Sequence, residues 1–349
     1  MKKVKAVDIA NHLGISKATV SLALNNRPGI SENTRKKVLQ CKKELEQKSV
    51  RTSGVIKLVT LTGIDVKEDA RSPFFEKMLW GIEQALSETA YTLEVLALPD
   101  SVSSIYEAVR ICNNEAVAGA LLIFSRSMET LSAEQLVIFK QFNMPVIFYD
   151  SLILTINFEQ VRAGNGAAVD LAARHLYRMG HRHIAYFYTE DDGTCYNLTR
   201  RLEAAKRCAS MFREKGLRTD FICIRSGTVH GSAEVLLQYC RKNISEYLNR
   251  ETDLPTGFVC DNYITSAATI EQLDQKGFKI PQQVSVIGID PPNGLIKGKE
   301  LTYVDLIDDR RGYFAVQRLI DRIEGRVMEH IVCDIAPVLV HGDTVGKRI

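Results

Sequence analysis

Apolar residues recur at helical spacing near the start of the chain, and they predict two short helices that share a small core. A third, longer helix with a Lys-rich exposed face follows. Ala10 lies four positions before Gly14, where a small residue allows close helix approach and a glycine allows a tight turn. Ser16 and Ser31 are suitable N-caps for the second and third helices. The predicted helices span residues 6–13, 17–25 and 32–46, and the apolar core positions are Ile9, Leu13, Ile15, Val20 and Ala23.

Beyond residue 54 the pattern changes, and short β-branched runs alternate with amphipathic helical segments. This alternation predicts an α/β fold with parallel sheets covered by helices on both faces. The strands are too many for one unit of this kind, so two doubly wound lobes are expected. The predicted strands are Val55–Leu61, Thr92–Ala97, Ala120–Phe124, Val146–Tyr149, Ile184–Tyr188, Phe221–Ile224, Gly257–Cys260, Val284–Ile289 and Pro337–Val340. The predicted helices include Phe75–Ser87, Val161–Met179, Arg201–Lys215 and Ser266–Lys276.

Charge is distributed unevenly along the chain. Residues 1–53 carry a net charge of +8, whereas the full 349 residues carry +3, so the remainder is acidic. A basic module fused to an acidic body is typical of nucleic-acid binding. The N-terminus has no apolar run typical of a secretory signal, and no segment resembles a membrane span. The eight cysteines are scattered without a Cys-x-x-Cys pair, which is expected of free thiols in a cytoplasmic protein.

The segment VDIANHLGISKATVSLALNNRPGISENTRKKVL resembles the DNA-binding headpiece of the LacI/GalR family of bacterial transcription regulators. Later stretches, among them GNGAAVDLAARHLYRMGHRHIAYF and GFKIPQQVSVIGID, resemble the family's regulatory domain, which shares its fold with type I periplasmic sugar-binding proteins. The resemblance implies a helix-turn-helix headpiece at 1–47, a short linker at 48–54 and a regulatory domain at 55–349. It further implies an N-terminal lobe of about 55–158 plus 291–325 and a C-terminal lobe of about 159–290 plus 326–349.

In a helix-turn-helix, the N-terminal residues of the second helix face base edges in the major groove. Lys17 is suited to guanine and Ala18 to a thymine methyl, while Ser21 and Leu22 lie on the same helix. Leu22 has an alternative interpretation as a core residue. The side chains expected at phosphates are Thr19, Asn25, Asn26 and Arg35. The resemblance implies a homodimer on a pseudo-palindromic DNA operator.

Ligands of open α/β sheets bind beyond the carboxyl ends of the strands, which in a two-lobed protein form the cleft. Asp150, Asn262 and Asp290 follow predicted strands, and Arg201 opens a helix after a polar loop. Such groups bind vicinal hydroxyls or a carboxylate, although residues at these positions are also common helix caps. All four match ligand-contacting positions of the family, and Phe74 and Phe75 match its aromatic element. Tyr263 stands where members commonly carry Asp, so a sugar-like effector is expected with altered hydroxyl recognition.

Other site types find little support. His175, His181 and His183 have a poor spacing for a metal, and no G-x-S-x-G or H-E-x-x-H motif occurs, so neither a metal, a cofactor nor an enzyme is expected. The alternatives are a solute-binding module and an α/β enzyme acting on sugars or nucleosides. One departure from the family concerns residues 46–54, which are shorter than the usual hinge segment and lack its Leu wedge. Minor-groove insertion by a hinge is therefore not expected to carry over.

Overall fold

The computed structural model describes residues 6–50, 53–61, 73–99, 101–114, 116–124, 132–150, 158–189, 195–224 and 233–348. Its first part is helical, with α1 at Ala6–Leu13, α2 at Lys17–Leu24 and α3 at Glu32–Val50. The three helices surround a core that contains all five predicted apolar positions together with Val38 and Cys41. Gly14 adopts a φ of 64°, as the predicted turn requires.

Both predicted caps of the headpiece are confirmed. Ser16 accepts a hydrogen bond from the Thr19 backbone N–H at 3.1 Å, and Ser31 accepts one from the Thr34 backbone N–H at 3.1 Å. Helix α3 extends to Val50, beyond the predicted end at residue 46, and β1 begins at Ser53. The segment predicted as a linker at 48–54 thus lies partly in a helix and partly in a strand.

The first α/β lobe is built on a six-stranded sheet. Its strands are β1 Ser53–Leu61, β2 Ala90–Leu98, β3 Val117–Phe124, β4 Val146–Tyr149, β5 Glu159–Ala163 and β11 Val332–Ile335, and its helices are α4 Pro73–Leu86, α5 Val102–Asn114, α6 Ala133–Ile138 and α11 Asp308–Ile323. All strands are parallel, in the order β11-β5-β4-β3-β1-β2. Helices α4 and α11 cover one face of the sheet. Helices α5 and α6, with a 3₁₀ turn at Phe139–Gln141, cover the other face.

The second lobe is also built on a six-stranded sheet. Its strands are β6 His183–Thr189, β7 Arg218–Ile224, β8 Gly257–Cys260, β9 Ser285–Ile289, β10 Thr302–Asp305 and β12 Val338–Val340, and its helices are α7 Asn165–Arg178, α8 Tyr196–Arg213, α9 Ala233–Arg250 and α10 Tyr263–Gln275. The strand order is β12-β10-β9-β8-β6-β7, and the strands are parallel except for the β10–β12 pair. Helices α7 and α8 pack on one face of the sheet, and α9 and α10 pack on the other.

The chain passes between the sheets three times, after Ala163, after Asp305 and after Ile335. Each passage lies later than the lobe boundaries expected from the resemblance. Residues 159–163 were expected in the second lobe and partly in a helix, but β5 pairs with β4 in the first sheet. Likewise β10 pairs with β9 in the second sheet, and β11 pairs with β5 in the first. These three short strands were missed because each carries polar residues, and partner strands distant in sequence determine where each one pairs.

Helices α4 and α11 approach each other closely in the first lobe. A Cβ on Gly81 would lie 1.8 Å from the Asp309 carbonyl oxygen, and one on Gly312 would lie 2.6 Å from the Met78 carbonyl oxygen. Both positions therefore exclude a side chain, and this contact holds the start of α11 against α4. The first residues of α11 are thereby fixed beside the carboxyl end of the first sheet.

Candidate DNA interface and effector cleft

The first turn of α2 presents its side chains to solvent. Lys17, Ala18 and Ser21 are exposed, while Val20 and Ala23 on the opposite side are buried in the headpiece core. The predicted base-contacting residues thus share one accessible face. Leu22 is half-buried, and its Cδ1 lies 3.7 Å from the position of a Cβ on Gly29. It packs against the loop after α2 and leaves part of its surface accessible.

The residues predicted at phosphates differ in their surroundings. The Thr19 hydroxyl lies 2.9 Å from the Ser16 hydroxyl, and Asn25 donates to the Ser21 carbonyl at 2.9 Å. Asn26 is exposed with a φ of 52°. The structure argues against the predicted phosphate contact of Arg35, because the Arg35 side chain is only 14% exposed and its guanidinium donates to the Arg27 carbonyl at 2.8 Å. It holds α3 against the end of α2 and is not placed to bind phosphate.

Arg201 is the centre of a polar network in the second lobe. Its Nε donates to the Asn165 side-chain oxygen at 2.8 Å, and its terminal nitrogens donate to the Asp290 carboxylate at 3.1 and 3.4 Å and to the Asp261 carbonyl. The Arg201 side chain is 7% exposed and that of Asp290 is 24% exposed. Two residues predicted at the cleft are therefore a direct ion pair, and the Asp290 carboxylate is its accessible part.

Asp261, which the sequence did not single out, lies at the end of β8 and is fully enclosed. Its carboxylate accepts hydrogen bonds from the Thr189 backbone N–H at 2.6 Å and the Thr265 hydroxyl at 2.9 Å, and burial raises the pKa of Asp261. Asn262 next to it caps α10 by accepting from the Thr265 backbone N–H at 2.9 Å. The cap interpretation thus holds for Asn262, whose amide is half-buried. Tyr263 begins α10 and is half-buried.

The first lobe holds a second network around Arg311, which is fully buried. Its guanidinium donates to the carboxylates of Asp150 and Asp308 and lies 4.6 Å from the centre of the Tyr149 ring. Asp150 also accepts from the Ala163 backbone N–H at 2.7 Å. Asp150 thus lies directly after the carboxyl end of β4, but it is 5% exposed and engaged within the protein.

The aromatic pair predicted at the ligand divides into two roles. Phe75 is 2% exposed and packs into the core of the first lobe together with Met78 and Ile82 of the same helix, α4. The expectation that it contacts ligand is therefore wrong. Phe74 is half-buried, and the Arg311 guanidinium lies 5.8 Å from the centre of its ring. Phe74 is therefore the member of the pair near the polar network.

The two networks meet at the first passage between the lobes. Ala163 donates to Asp150 on one side of Gly164, and Asn165 bonds Arg201 on the other. Gly164 donates to the Ile335 carbonyl at 3.1 Å, which ties the first passage to the third. The structure thus connects the predicted residues Asp150, Arg201 and Asp290 through three consecutive residues of the chain.

Asp308 gives the first network a pH dependence. Burial is the main cause that raises the pKa of Asp308 to about 7, and the nearby Asp290 and Asp150 carboxylates add to it, while Arg311 opposes the shift. The free energy of unfolding should rise as pH falls through 7, because Asp308 takes up a proton in the folded protein. In the unfolded protein the same aspartate, with a pKa of about 3.9, stays ionised at this pH. We expect a slope approaching roughly 1 kcal/mol per pH unit near pH 6.

Urea denaturation of wild type and Asp308→Asn between pH 5 and pH 8 measures this contribution. His181 acts in the opposite direction, because burial lowers the pKa of His181 to about 4, so stability is lost as pH falls below the ordinary histidine value. That term is common to both proteins, and the difference between them isolates Asp308. Parallel pH profiles for the two proteins would contradict the assignment.

Metal ligation finds no support in the described part of the chain, which contains no group of three His, Cys, Asp or Glu side chains able to hold an ion. His181 instead lies 3.0 Å from the Thr256 hydroxyl and 2.9 Å from the Ser285 hydroxyl, and His183 lies 2.8 Å from Asp220. These contacts hold His181 and His183 against neighbouring strands and loops of the second lobe. Among the described helices, none combines the length and apolar character that crossing a bilayer would require.

Comparison with known proteins agrees with this architecture. Residues 7–47 match the family described as bacterial regulatory proteins, lacI family, and residues 173–345 match a periplasmic binding protein-like domain. The HTH-type transcriptional repressor PurR of Aliivibrio fischeri strain MJ11 is 25% identical over 348 residues, covering 98% of both chains. PurR of Histophilus somni strain 129Pt is 23% identical over 340 residues, covering 95% of this chain and 96% of the relative.

Solved structures show the same fold. A lac repressor dimer bound to operator and the anti-inducer ONPF matches with a TM-score of 0.65 and 18% identity over 99% of this chain and 100% of that one. A complex of the transcriptional regulator CelR with cellobiose matches with a TM-score of 0.63 and 19% identity over 96% and 98%. With a lacI-type headpiece, two periplasmic-binding-protein-like lobes and repressors aligned along nearly its whole length, the chain belongs to the LacI family of DNA-binding transcription regulators.

Proposed function

We propose that this protein is a repressor that binds a pseudo-palindromic operator as a homodimer and responds to a small polar effector in the cleft between its lobes. The observation that carries the proposal is the exposed first turn of α2, where Lys17, Ala18 and Ser21 share one face above a packed helical core. A helix presented in this way fits the major groove. Because the DNA partner lies in the cytoplasm of a bacterium, we place the protein there.

Dimerisation follows from the form of the target. A single headpiece reads only a few base pairs, and a twofold axis matches two such headpieces to two half-sites. The lac repressor relative was solved as a dimer on its operator, which supports the same assembly here. Selection of binding sites from a random DNA pool tests the proposal, and recovery of an inverted repeat is the expected result. Sites without internal symmetry would contradict the dimeric arrangement.

The effector proposal rests on Arg201 and Asp290. Their ion pair presents the partly exposed Asp290 carboxylate at the carboxyl ends of the second sheet, where it can accept from hydroxyl groups while the nearly enclosed Arg201 guanidinium holds it in place. The CelR relative was solved with cellobiose, so a sugar-like effector is consistent with the fold. A thermal-shift screen identifies the effector, because a ligand that binds the native state raises its melting temperature.

Lys17 is expected to read a base. Lys17→Ala should lower operator affinity by roughly 1–3 kcal/mol and relax the preference at one base pair in each half-site. Fluorescence anisotropy with the operator and with single-base variants measures both effects. Lys37→Ala, which removes the same charge from an exposed position of α3, is the matched control and should leave the base preference unchanged. If Lys17→Ala weakens binding to all sequences alike, Lys17 contacts only phosphate.

The connection after α3 predicts a weakly bent operator. Helix α3 ends at Val50 and β1 begins at Ser53, so two residues separate them, too few for a separate hinge helix. Without an inserted apolar wedge, no base step is unstacked and the duplex is not kinked at its centre. Circular-permutation gel shifts measure the bend, and a small angle is expected. A sharp central kink would show that some element of this protein does enter the minor groove.

A further inference from the structure

We propose that the effector cleft selects ligands that carry hydrogen-bond donors and no negative charge, neutral polyols or amines, and rejects phosphorylated and carboxylated ones. The inference rests on the proposed function and narrows its ligand class. It is drawn from the charge balance of the two networks at the cleft. A guanidinium in a binding site ordinarily suggests an anionic ligand, and here the surroundings of both guanidinium groups argue against one.

Arg201 is already neutralised within the second lobe. The Asp290 carboxylate faces two of its nitrogens at 3.1 and 3.4 Å, and the Asn165 oxygen and the Asp261 carbonyl take further donors. An anionic ligand would have to displace Asp290 from Arg201 and leave that carboxylate unpaired in a half-enclosed site. A hydroxyl or ammonium group can instead donate to Asp290 while the ion pair stays intact.

Arg311 is neutralised within the first lobe in the same way. It bonds two carboxylates, those of Asp150 and Asp308, which are 5% and 1% exposed. Its guanidinium is also covered by the Tyr149 ring on one side. Arg311 therefore supplies no free positive charge to the cleft. When Asp150 and Asp308 are both ionised, the three side chains together carry one net negative charge.

The sum over both networks is negative. Lys77 of α4 donates to the carboxylate of Asp305, the last residue of β10, over 2.9 Å. This third cation is therefore also paired. With Asp261 included, the described residues of these networks contain five carboxylates and three cations. Asp290 of the second lobe is close enough to Asp308 of the first to raise the pKa of Asp308, so carboxylates of the two lobes act on each other across the cleft. A donor-rich ligand between them relieves this repulsion, and an anion increases it.

The test is a thermal-shift screen of the full-length protein at pH 8 with matched probes. Neutral hexoses and disaccharides, their 6-phosphates, their uronic acids, their 2-amino derivatives and free purine bases are compared at equal concentration and ionic strength. We expect stabilisation only by neutral or aminated probes, and affinity about 100-fold weaker for the phosphate of any sugar that binds, since one unfavourable charge pair at short range has this effect. The proposal is overturned if a phosphate or uronate stabilises the protein as much as its neutral parent does. It is also overturned if no probe raises the melting temperature.

Variants connect the selectivity to the carboxylates. Asp308→Asn should reduce the difference between a neutral sugar and its phosphate by about tenfold, because it removes one negative charge near the ligand. Asp274→Asn, which removes the same charge from the exposed surface of α10, is the control and should leave the difference unchanged. An equal effect of both variants would overturn the assignment to the cleft. Operator binding is measured with and without effector, and its absence in both states would count against the proposed function itself, whereas operator binding in either state together with anionic selectivity would refute only the inference about ligand charge.

Discussion

Replacing Arg311 by leucine should lower the free energy of unfolding by roughly 3–5 kcal/mol, because it leaves two buried carboxylates without their cation. Asp150 and Asp308 are both almost fully enclosed and both bond the same guanidinium. Urea denaturation measures the loss. Leucine is shorter than arginine and fills only part of the space against Tyr149 and Phe74, so a cavity adds to the effect of the missing charge.

The control for this experiment changes the charges together. Arg311→Leu combined with Asp150→Asn and Asp308→Asn removes the whole ionic group and should recover most of the lost stability. Arg326→Leu, which removes an arginine that is 52% exposed and paired at the surface, should change stability by less than about 1 kcal/mol. If the triple variant is no more stable than Arg311→Leu, the penalty is one of packing and our account of the network is wrong.

Replacing Arg201 by alanine should abolish the response to effector and reduce effector affinity by roughly 100-fold or more, since one buried charged partner of a hydrogen-bonded site commonly contributes 2–5 kcal/mol. Isothermal calorimetry with the identified effector measures the affinity. Stability should fall as well, because Asp290 loses its partner and Asp261 loses a neighbouring cation. Operator affinity of the ligand-free protein should stay within about twofold, because the headpiece core is independent of this site.

Arg201→Lys separates charge from geometry. A lysine keeps the cation beside Asp290 but cannot form the forked bonds to Asp290, Asn165 and the Asp261 carbonyl at once. We expect stability close to wild type with effector affinity between that of wild type and Arg201→Ala. Unchanged affinity in both variants would remove Arg201 from the site.

Local signals explain why the headpiece could be predicted closely. Its helix boundaries depend on Ser16, Gly14 and Ser31, whose caps and turn act over three or four residues. The central strands β4 and β8 were also located to the residue, because VIFY and GFVC are continuous apolar runs buried on both faces. Arg35 was misjudged because its carbonyl partners lie in α2 and in the loop after α2, at distances in sequence that a local pattern does not reveal.

The cleft could be predicted in its strand ends but not in its pairings. Asp150 and Asp290 both follow strands and both adopt left-handed backbone conformations, with φ of 56° and 70°, which aspartate tolerates better than most residues. Their partners depend on how α8 and α11 pack, which no local pattern gives. One signal for Arg311 was present, because it occupies the same helical face as the buried Ala315 and Leu319. A charged residue on an apolar stripe indicates a buried ionic partner.

The interleaving of the two lobes determines the order in which the protein can fold during synthesis. Helix α11 and strand β11, which complete the first lobe, leave the ribosome only after almost the whole second lobe has been made. Domains usually fold in the order of their synthesis, but here only the headpiece can do so. The first lobe must wait with the carboxylate of Asp150 and the groove for α11 uncovered, so both lobes finish folding together. The long sequence separation of these contacts makes that last step slow, and it exposes the nascent chain to chaperones and proteases.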